Sequence, residues 1–219
     1  MKRITLWLTA TLSTVLVFAQ SETVRLEAIP FPLRWDNSPV SFKQEGQVLT
    51  ITAGEKSDMF RDPGATYNTD NAPKLMFRPD SNFVLTAAVA HDFASKWDGA
   101  ALVVRSDSIN WVKFCFERDY TGANRIVSVV TKNISDDCNS VSLKGKKVYL
   151  KIAKAGKTLT LYVSENGKKW LLVRHFQMEL KPGFEAGFLA QSPDGPGCTA
   201  IFSEITYSSR KISDPYLGE

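Results

Sequence analysis

Short β-type runs closed by turn residues recur along this chain, and no segment has a helical period. "VLTITA", "FVLTAAVA", "AALVVR", "WVKFCFER", "RIVSVVT", "KVYLKIAKA", "TLTLYVS", "KWLLVRHF", "EAGFLAQ" and "CTAIFSEITY" each alternate or are rich in β-branched and aromatic residues over a strand's length. Asn166-Gly167 falls between two such runs, and its two residues supply the positive φ angles that a tight hairpin needs. Gly156 sits at the tip of another hairpin in "IAKAGKTLTL". Strands and turns at this spacing predict an all-β, antiparallel two-sheet sandwich of jelly-roll type. The stretch from Gly54 to Leu75, "GEKSDMFRDPGATYNTDNAPKL", reads as a long strand-free loop, and long ordered loops in compact domains are often functional.

The N-terminus sets the domain bounds. Lys2 and Arg3 precede an apolar run from Ile4 to Phe18 that ends at small Ala19, a signal-peptide pattern, so residues 1–19 are expected to be removed and 20–219 to form a single domain. The run is short for a membrane span, and no second one follows. A secreted or periplasmic protein with no membrane partner is expected. About 200 residues can bury a core without disulfide help. With Lys2 and Arg3 gone, 27 basic residues become 25 against 23 acidic ones, and the charges are interspersed. That balance argues against a nucleic-acid partner. Cys115, Cys138 and Cys198 allow one disulfide in an oxidising compartment. Cys138 and Cys198 lie in loop-like "SDDCNS" and "GPGCTA", which makes them the favoured pair.

"INWVKFCFERD" has two faces, because successive strand side chains point to opposite sides. Val112, Phe114 and Phe116 form a core face, and Trp111, Lys113, Cys115 and Glu117 the other. If Arg118 faces Arg125 across "RDYTGANR", Phe114 pairs with Val129 and Phe116 with Val127; upstream, Val104 opposes Val112 and Leu102 opposes Phe114. The second face then collects Arg105, Trp111, Lys113, Cys115, Glu117 and Ser128 as a polar surface bearing an aromatic ring.

These residues carry a resemblance. "KWDGAALVVRSDSINWVKFCFERD", with "SDMFRDPG" and "NAPKL" before it and "RIVSVVTKNISDD" and "LYVSENGKKWLLVRHF" after it, resembles the bacterial and fungal proteins of unknown function labelled "regulation of enolase", within the concanavalin A-like, laminin G-like jelly rolls. The similarity runs from about Leu33 to Tyr207. Where the family has an aromatic-Asp-Gln-Ala-Gly run this chain has Trp97-Asp98-Gly99-Ala100-Ala101, and where it has Ser-Asp-Trp this chain has Ser135-Asp136-Asp137. Related sandwiches are often appended to glycoside hydrolases or act alone as sugar-binding units, so the resemblance implies contact with carbohydrate.

A sugar site needs an aromatic face for stacking and charged or amide groups for the hydroxyls. The candidate ligand-binding set is therefore Arg105, Trp111, Lys113 and Glu117, with Asp58, Asp98 and Asp136 flanking them. The alternative is a solvated sheet face with cross-strand ion pairs. No cofactor is expected. A metal is not expected either, because the loop acids Asp58, Asp62, Asp70 and Asp98 match no calcium-loop spacing. No catalytic residue is assigned: nucleophile-elbow and zinc motifs are absent, and His175 alternates with apolar Leu171 and Val173. Three readings follow: a monomeric, non-catalytic carbohydrate-binding domain; a glycoside hydrolase pairing Glu117 with Asp98 or Asp58; and a structural or protein-binding sandwich.

Overall fold

The computed structural model describes residues 23–92 and 94–219. The expected signal segment, 1–19, lies outside them. The described strands are β1 (Val24–Leu26), β2 (Ile29–Asp36), β3 (Ser41–Glu45), β4 (Val48–Gly54), β5 (Met59–Arg61), β6 (Asn68–Asp70), β7 (Lys74–Phe77), β8 (Phe83–His91) and β9 (Gly99–Asp107). They continue with β10 (Asn110–Arg118), β11 (Asn124–Lys132), β12 (Ile134–Ser142), β13 (Lys147–Ala155), β14 (Thr158–Ser164), β15 (Leu171–Gln177), β16 (Glu185–Gln191) and β17 (Gly197–Ser208).

One sheet has eight strands in the order β1-β2-β7-β16-β9-β10-β11-β12, the other has seven, β15-β14-β13-β8-β17-β4-β3, and β5-β6 is a separate hairpin. All pairings are antiparallel. The fold is thus an all-β, antiparallel two-sheet jelly-roll sandwich. Its main core lies between the sheets, where Leu102, Phe114, Phe116 and Phe188 from one meet Leu85, Leu150, Ile152 and Phe202 from the other. Each such side chain contributes about 1.5–3 kcal/mol through burial. Gly156 and Gly167 take positive φ, but Asn166 does not: the connection from Ser164 to Leu171 is longer than the expected two-residue turn, and Asn166 Oδ1 accepts there from Lys168 N at 2.9 Å and Lys169 N at 3.0 Å.

A second apolar cluster on the opposite face of the eight-stranded sheet positions the site. Met59, Ala72, Met76, Ala101, Val103, Trp111, Cys115, Val127, Val129 and Leu189 pack together there, with Phe60 against them. The β5-β6 hairpin covers this face, which corrects the strand-free reading of Gly54 to Leu75. Its turn is Asp-Pro-Gly, and Asp62 locks it by accepting hydrogen bonds from Thr66 N (3.1 Å) and Thr66 Oγ1 (2.8 Å).

Three further expectations are corrected. Pairing across β9 and β10 is as expected, Val112 with Val104 and Phe114 with Leu102, but β10 and β11 are offset by one residue. Phe114 pairs with Ser128, Lys113 with Val129, Glu117 with Arg125 and Arg118 with Asn124. Asp119 sets this register, accepting from Thr121 N (2.8 Å) and Ala123 N (3.0 Å) while it pairs with Arg125 (2.5 Å). The offset also opposes Glu117 to Arg125 rather than two arginines to each other. As a result Ile126 and Val130 enter the main core, while Val127 and Val129 join Trp111 on the other face.

The second correction is Trp111, which is only 1% exposed under the hairpin rather than a platform. The third is the Cys138–Cys198 bridge. "SDDCNS" is not a loop but part of edge strand β12, where Cys138 is exposed; Cys198 is buried on β17 of the other sheet, and all three cysteines are free.

Candidate functional site

Lys113 is the centre of the site. Alternation on β10 sends its side chain under the hairpin, where it is 2% exposed. Nζ donates to Asp58 Oδ1 at 3.0 Å and to Gln191 Oε1 at 2.7 Å, and Gln191 Nε2 donates in turn to the Trp97 carbonyl at 3.0 Å. Three segments remote in sequence thus meet at one ammonium. Burial opposes the charge, but the attraction of Asp58, with Glu117 behind it, holds the ammonium above the usual lysine range.

Glu117 lies two positions beyond Cys115 on the same face. It is 6% exposed, and burial pushes its carboxyl up to about 8; Lys113 opposes the shift, while Asp137, Asp58 and Asp119 reinforce it. A carboxyl in that state is mainly protonated at neutral pH and can donate a hydrogen bond to a ligand. Close approach of β9 brings it in: a Cβ at Gly99 would stand 2.9 Å from Glu117 Cβ. Partial desolvation of the Asp137 carboxyl, on a residue that is exposed overall, also raises it against the pull of Lys113, and burial drives the Cys115 thiol well up, so that it stays protonated.

Above this floor opens a cavity of about 320 Å3. Phe60 and Tyr67 of the hairpin form one wall, with ring centroids 6.1 Å apart, and Trp97 and Pro193 stand among its other lining residues. Trp97 has φ 63°, unusual for a bulky residue, and the Lys96 ammonium lies 4.1 Å from its ring centroid. Tyr67 is 51% and Trp97 37% exposed. The arrangement offers apolar ring faces, one fixed ammonium, one amide and carboxyl groups in differing protonation states. It can hold a polar molecule with apolar faces.

Of the residues singled out from the sequence, Lys113, Glu117 and Asp58 come together here. Trp111 lies in the apolar layer beside them. Arg105 belongs elsewhere: it pairs with Asp36 and with Asp70 (3.0 Å), and Lys74 contacts the same two carboxylates, a network that ties the hairpin end to the sheet. Asp98 is fully buried and accepts from Ser192 Oγ at 2.6 Å and Ser95 N at 2.7 Å, so it holds a turn rather than a ligand. Asp136 pairs with Arg174 at 3.0 Å, and it is its neighbour Asp137 that lines the cavity. His91 packs edge-on to Phe116 at 5.5 Å and is not among the lining residues. His91, Asp92 and Cys198 each bring one potential ligand atom within 4.8 Å of the others, the only such group of three or more among the described residues.

Phe60, Tyr67, Trp97, Gln191 and Asp137 line the cavity but were not among the ligand-binding residues expected from the sequence. The signal for the first two was present, since Asp-Pro-Gly between short β-prone segments is a hairpin cue.

Known proteins share this framework. "Regulation of enolase protein 1" of Saccharomyces cerevisiae is 28% identical over 171 residues, 78% of this chain and 86% of the relative. A crystal structure described as a functionally unknown protein from Saccharomyces cerevisiae superposes with TM-score 0.74 at 26% identity, over 81% of this chain and 96% of that one. The GH43 protein BlXynB of Bacillus licheniformis superposes with TM-score 0.66 at 14% identity, over 87% of this chain but 38% of that one. The VIP36 exoplasmic/lumenal domain, in a form bound to Ca2+ and Man3GlcNAc, superposes with TM-score 0.53 at 10% identity over 82% of this chain and 85% of that one. At such identities the last two share the fold alone. From residue 35 to residue 210, a span holding the hairpin, the Lys113 floor and both sheets, the sequence matches one family model, and the chain belongs to that family, the proteins of unknown function designated DUF1349.

Proposed function

We propose that this chain is an exported, monomeric domain that binds carbohydrate without catalysis, in the cavity over Lys113. One observation carries the reading: Phe60, Tyr67 and Trp97 border a floor of charged and amide groups that are already buried and oriented. Sugar rings have apolar C–H faces for the aromatic rings and fixed hydroxyls for Lys113, Gln191 and Glu117. The sugar-bound VIP36 form supports it by analogy of fold only. A glycan array on residues 20–219, read beside a reducing-sugar release assay, tests it. Binding without release is the expected result, and no binding to any glycan overturns it.

A second reading, glycoside hydrolysis, draws on the Glu117 carboxyl, which at about 8 is protonated as a general acid must be. Asp98 is not available as its partner, because its carboxyl is buried against Ser192 and Ser95. Asp58 lines the same cavity but is held by Lys113. Sugar release that Glu117→Gln abolishes would favour this reading over simple binding.

A further inference from the structure

We infer that the saccharide held in this cavity carries a protonated amine, an inference that rests on the carbohydrate reading above. The cavity is lined by the carboxyl groups of Asp58, Glu117, Asp137 and Asp194 against the amines of Lys56 and Lys113. Asp58 is engaged by Lys113 and Asp194 by Lys96, each at 3.0 Å. Glu117 and Asp137 remain without an ion pair of their own, with Lys113 acting on both and Lys56 also lining the cavity.

Glu117 is the decisive group. It is 6% exposed and lines the cavity, and among the described residues no donor hydrogen-bonds to its carboxyl. A carboxyl with no protein partner that faces the cavity can be satisfied there by a ligand's donor. The rings point the same way, since aromatic faces attract cations through their quadrupoles. Two already face ammonium groups, Phe60 with Lys113 Nζ 6.0 Å from its centroid and Trp97 with Lys96 Nζ at 4.1 Å. An ammonium on the sugar would meet Glu117 and Asp137 as charge-assisted hydrogen-bond acceptors. An acidic sugar would gain no such pairing from these two carboxyls.

Docking of an ammonium also moves a proton. Glu117 is mainly protonated at neutral pH, and the charged groups around it are Lys113 on its own strand, Asp58 from the hairpin side, Asp137 from β12, and Asp119 with Arg125 at the β10-β11 end. A cation arriving beside it stabilises the carboxylate, so the carboxyl proton leaves to solvent as the ion pair forms.

Titration calorimetry on residues 20–219 tests this with three probes at about pH 5.5, where the sugar amines already carry their protons and Glu117 still holds its own: a fully deacetylated chito-oligosaccharide, its N-acetylated counterpart of equal length, and putrescine. The deacetylated oligomer is expected to bind about tenfold or more tightly than the acetylated one. Its heat should depend on the buffer's ionisation enthalpy, reporting proton release. Glu117→Gln should remove both the preference and the release. Asp137→Asn, on an exposed edge-strand residue, should reduce the preference with no risk to folding. Equal affinity for both oligomers overturns the inference and leaves the carbohydrate reading standing. Binding of neither oligomer overturns the inference and leaves the carbohydrate reading to the glycan array, and putrescine binding as tightly as the deacetylated oligomer overturns the saccharide part of the inference.

Discussion

Lys113 Nζ and Asp58 Oδ1 lie 3.0 Å apart beneath the β5-β6 hairpin, and their side chains are unequally buried, 3% exposed for the lysine and 15% for the aspartate. The pair fastens the hairpin to the middle of the sheet, and the inequality sets what each loss costs.

Asp58→Asn leaves a little-exposed ammonium with Gln191 as its remaining acceptor, whereas Lys113→Met leaves a carboxylate that water can solvate more readily. Removing one partner of a buried pair costs about 3–5 kcal/mol when the other charge stays uncompensated. Asp58→Asn is therefore expected near the bottom of that range and Lys113→Met at about 1–2 kcal/mol. Urea unfolding of both variants, beside the double variant, checks the order.

Trp111→Ala should cost about 3–5 kcal/mol, the usual penalty for deleting a buried large aromatic side chain. Thermal melting measures it. A loss below about 1 kcal/mol would mean that the ring stands outside the apolar layer.

That contrast shows what could be read from residues alone. Strand alternation and the Gly156 and Gly167 turns identify the sandwich because they are local properties of the chain. Lys113 and Glu117 were legible as a row on one face, but whether that face is wet depends on what lies over it. The cover is a hairpin of two three-residue strands, too short for an alternation signal. Register across β10 and β11 turned on Asp119, whose bonds to Thr121, Ala123 and Arg125 shorten the loop by one residue and exchange Val127 and Val129 for Ile126 and Val130 in the main core. Edge strand β12, polar and bearing Asp136 and Asp137, looks like a loop because edge strands carry charge against unwanted pairing.

Stability should depend on pH through Glu117. Its native carboxyl titrates at about 8 and its unfolded one near the ordinary 4.5, so between these values the native state holds a proton that the unfolded state has released. The contribution is fully present below about 4.5, falls as pH rises, and is gone above about 8, with a slope on the order of 1 kcal/mol per pH unit. Glu117→Gln should flatten that fall. His91 acts in the opposite sense: burial, with Arg118 nearby, lowers it to about 3, so its contribution is lost as pH falls from 6.5 towards 3. Denaturation midpoints at pH 6 and pH 8, wild type against Glu117→Gln, isolate the first effect.

All three thiols should titrate after unfolding and only one before. Cys138 is exposed, while Cys115 and Cys198 are buried and burial keeps them protonated. A chromogenic disulfide reagent should report one fast equivalent in the native protein and three in denaturant. Finding one equivalent in denaturant would restore a disulfide.

The exposed rings give the most direct test of the cavity. Tyr67 and Trp97 stand at its mouth with half and a third of their surface in water, and Phe60 lies deeper, against the second apolar cluster. A ring that stacks on a ligand while burying little area in the fold contributes to binding and hardly to stability. Tyr67→Ala should therefore shift the unfolding free energy by less than about 1 kcal/mol while weakening glycan binding by about tenfold. Phe60→Ala should lower both, because the same ring packs on the hairpin cluster. Trp97→Ala should lose affinity like Tyr67→Ala with little change in backbone strain at φ 63°, because alanine keeps the Cβ that causes it. Calorimetric titration and thermal melting of the three variants give a two-axis comparison: if Tyr67→Ala and Trp97→Ala bind glycan as the wild type does, the rings are surface packing and the sugar sits elsewhere.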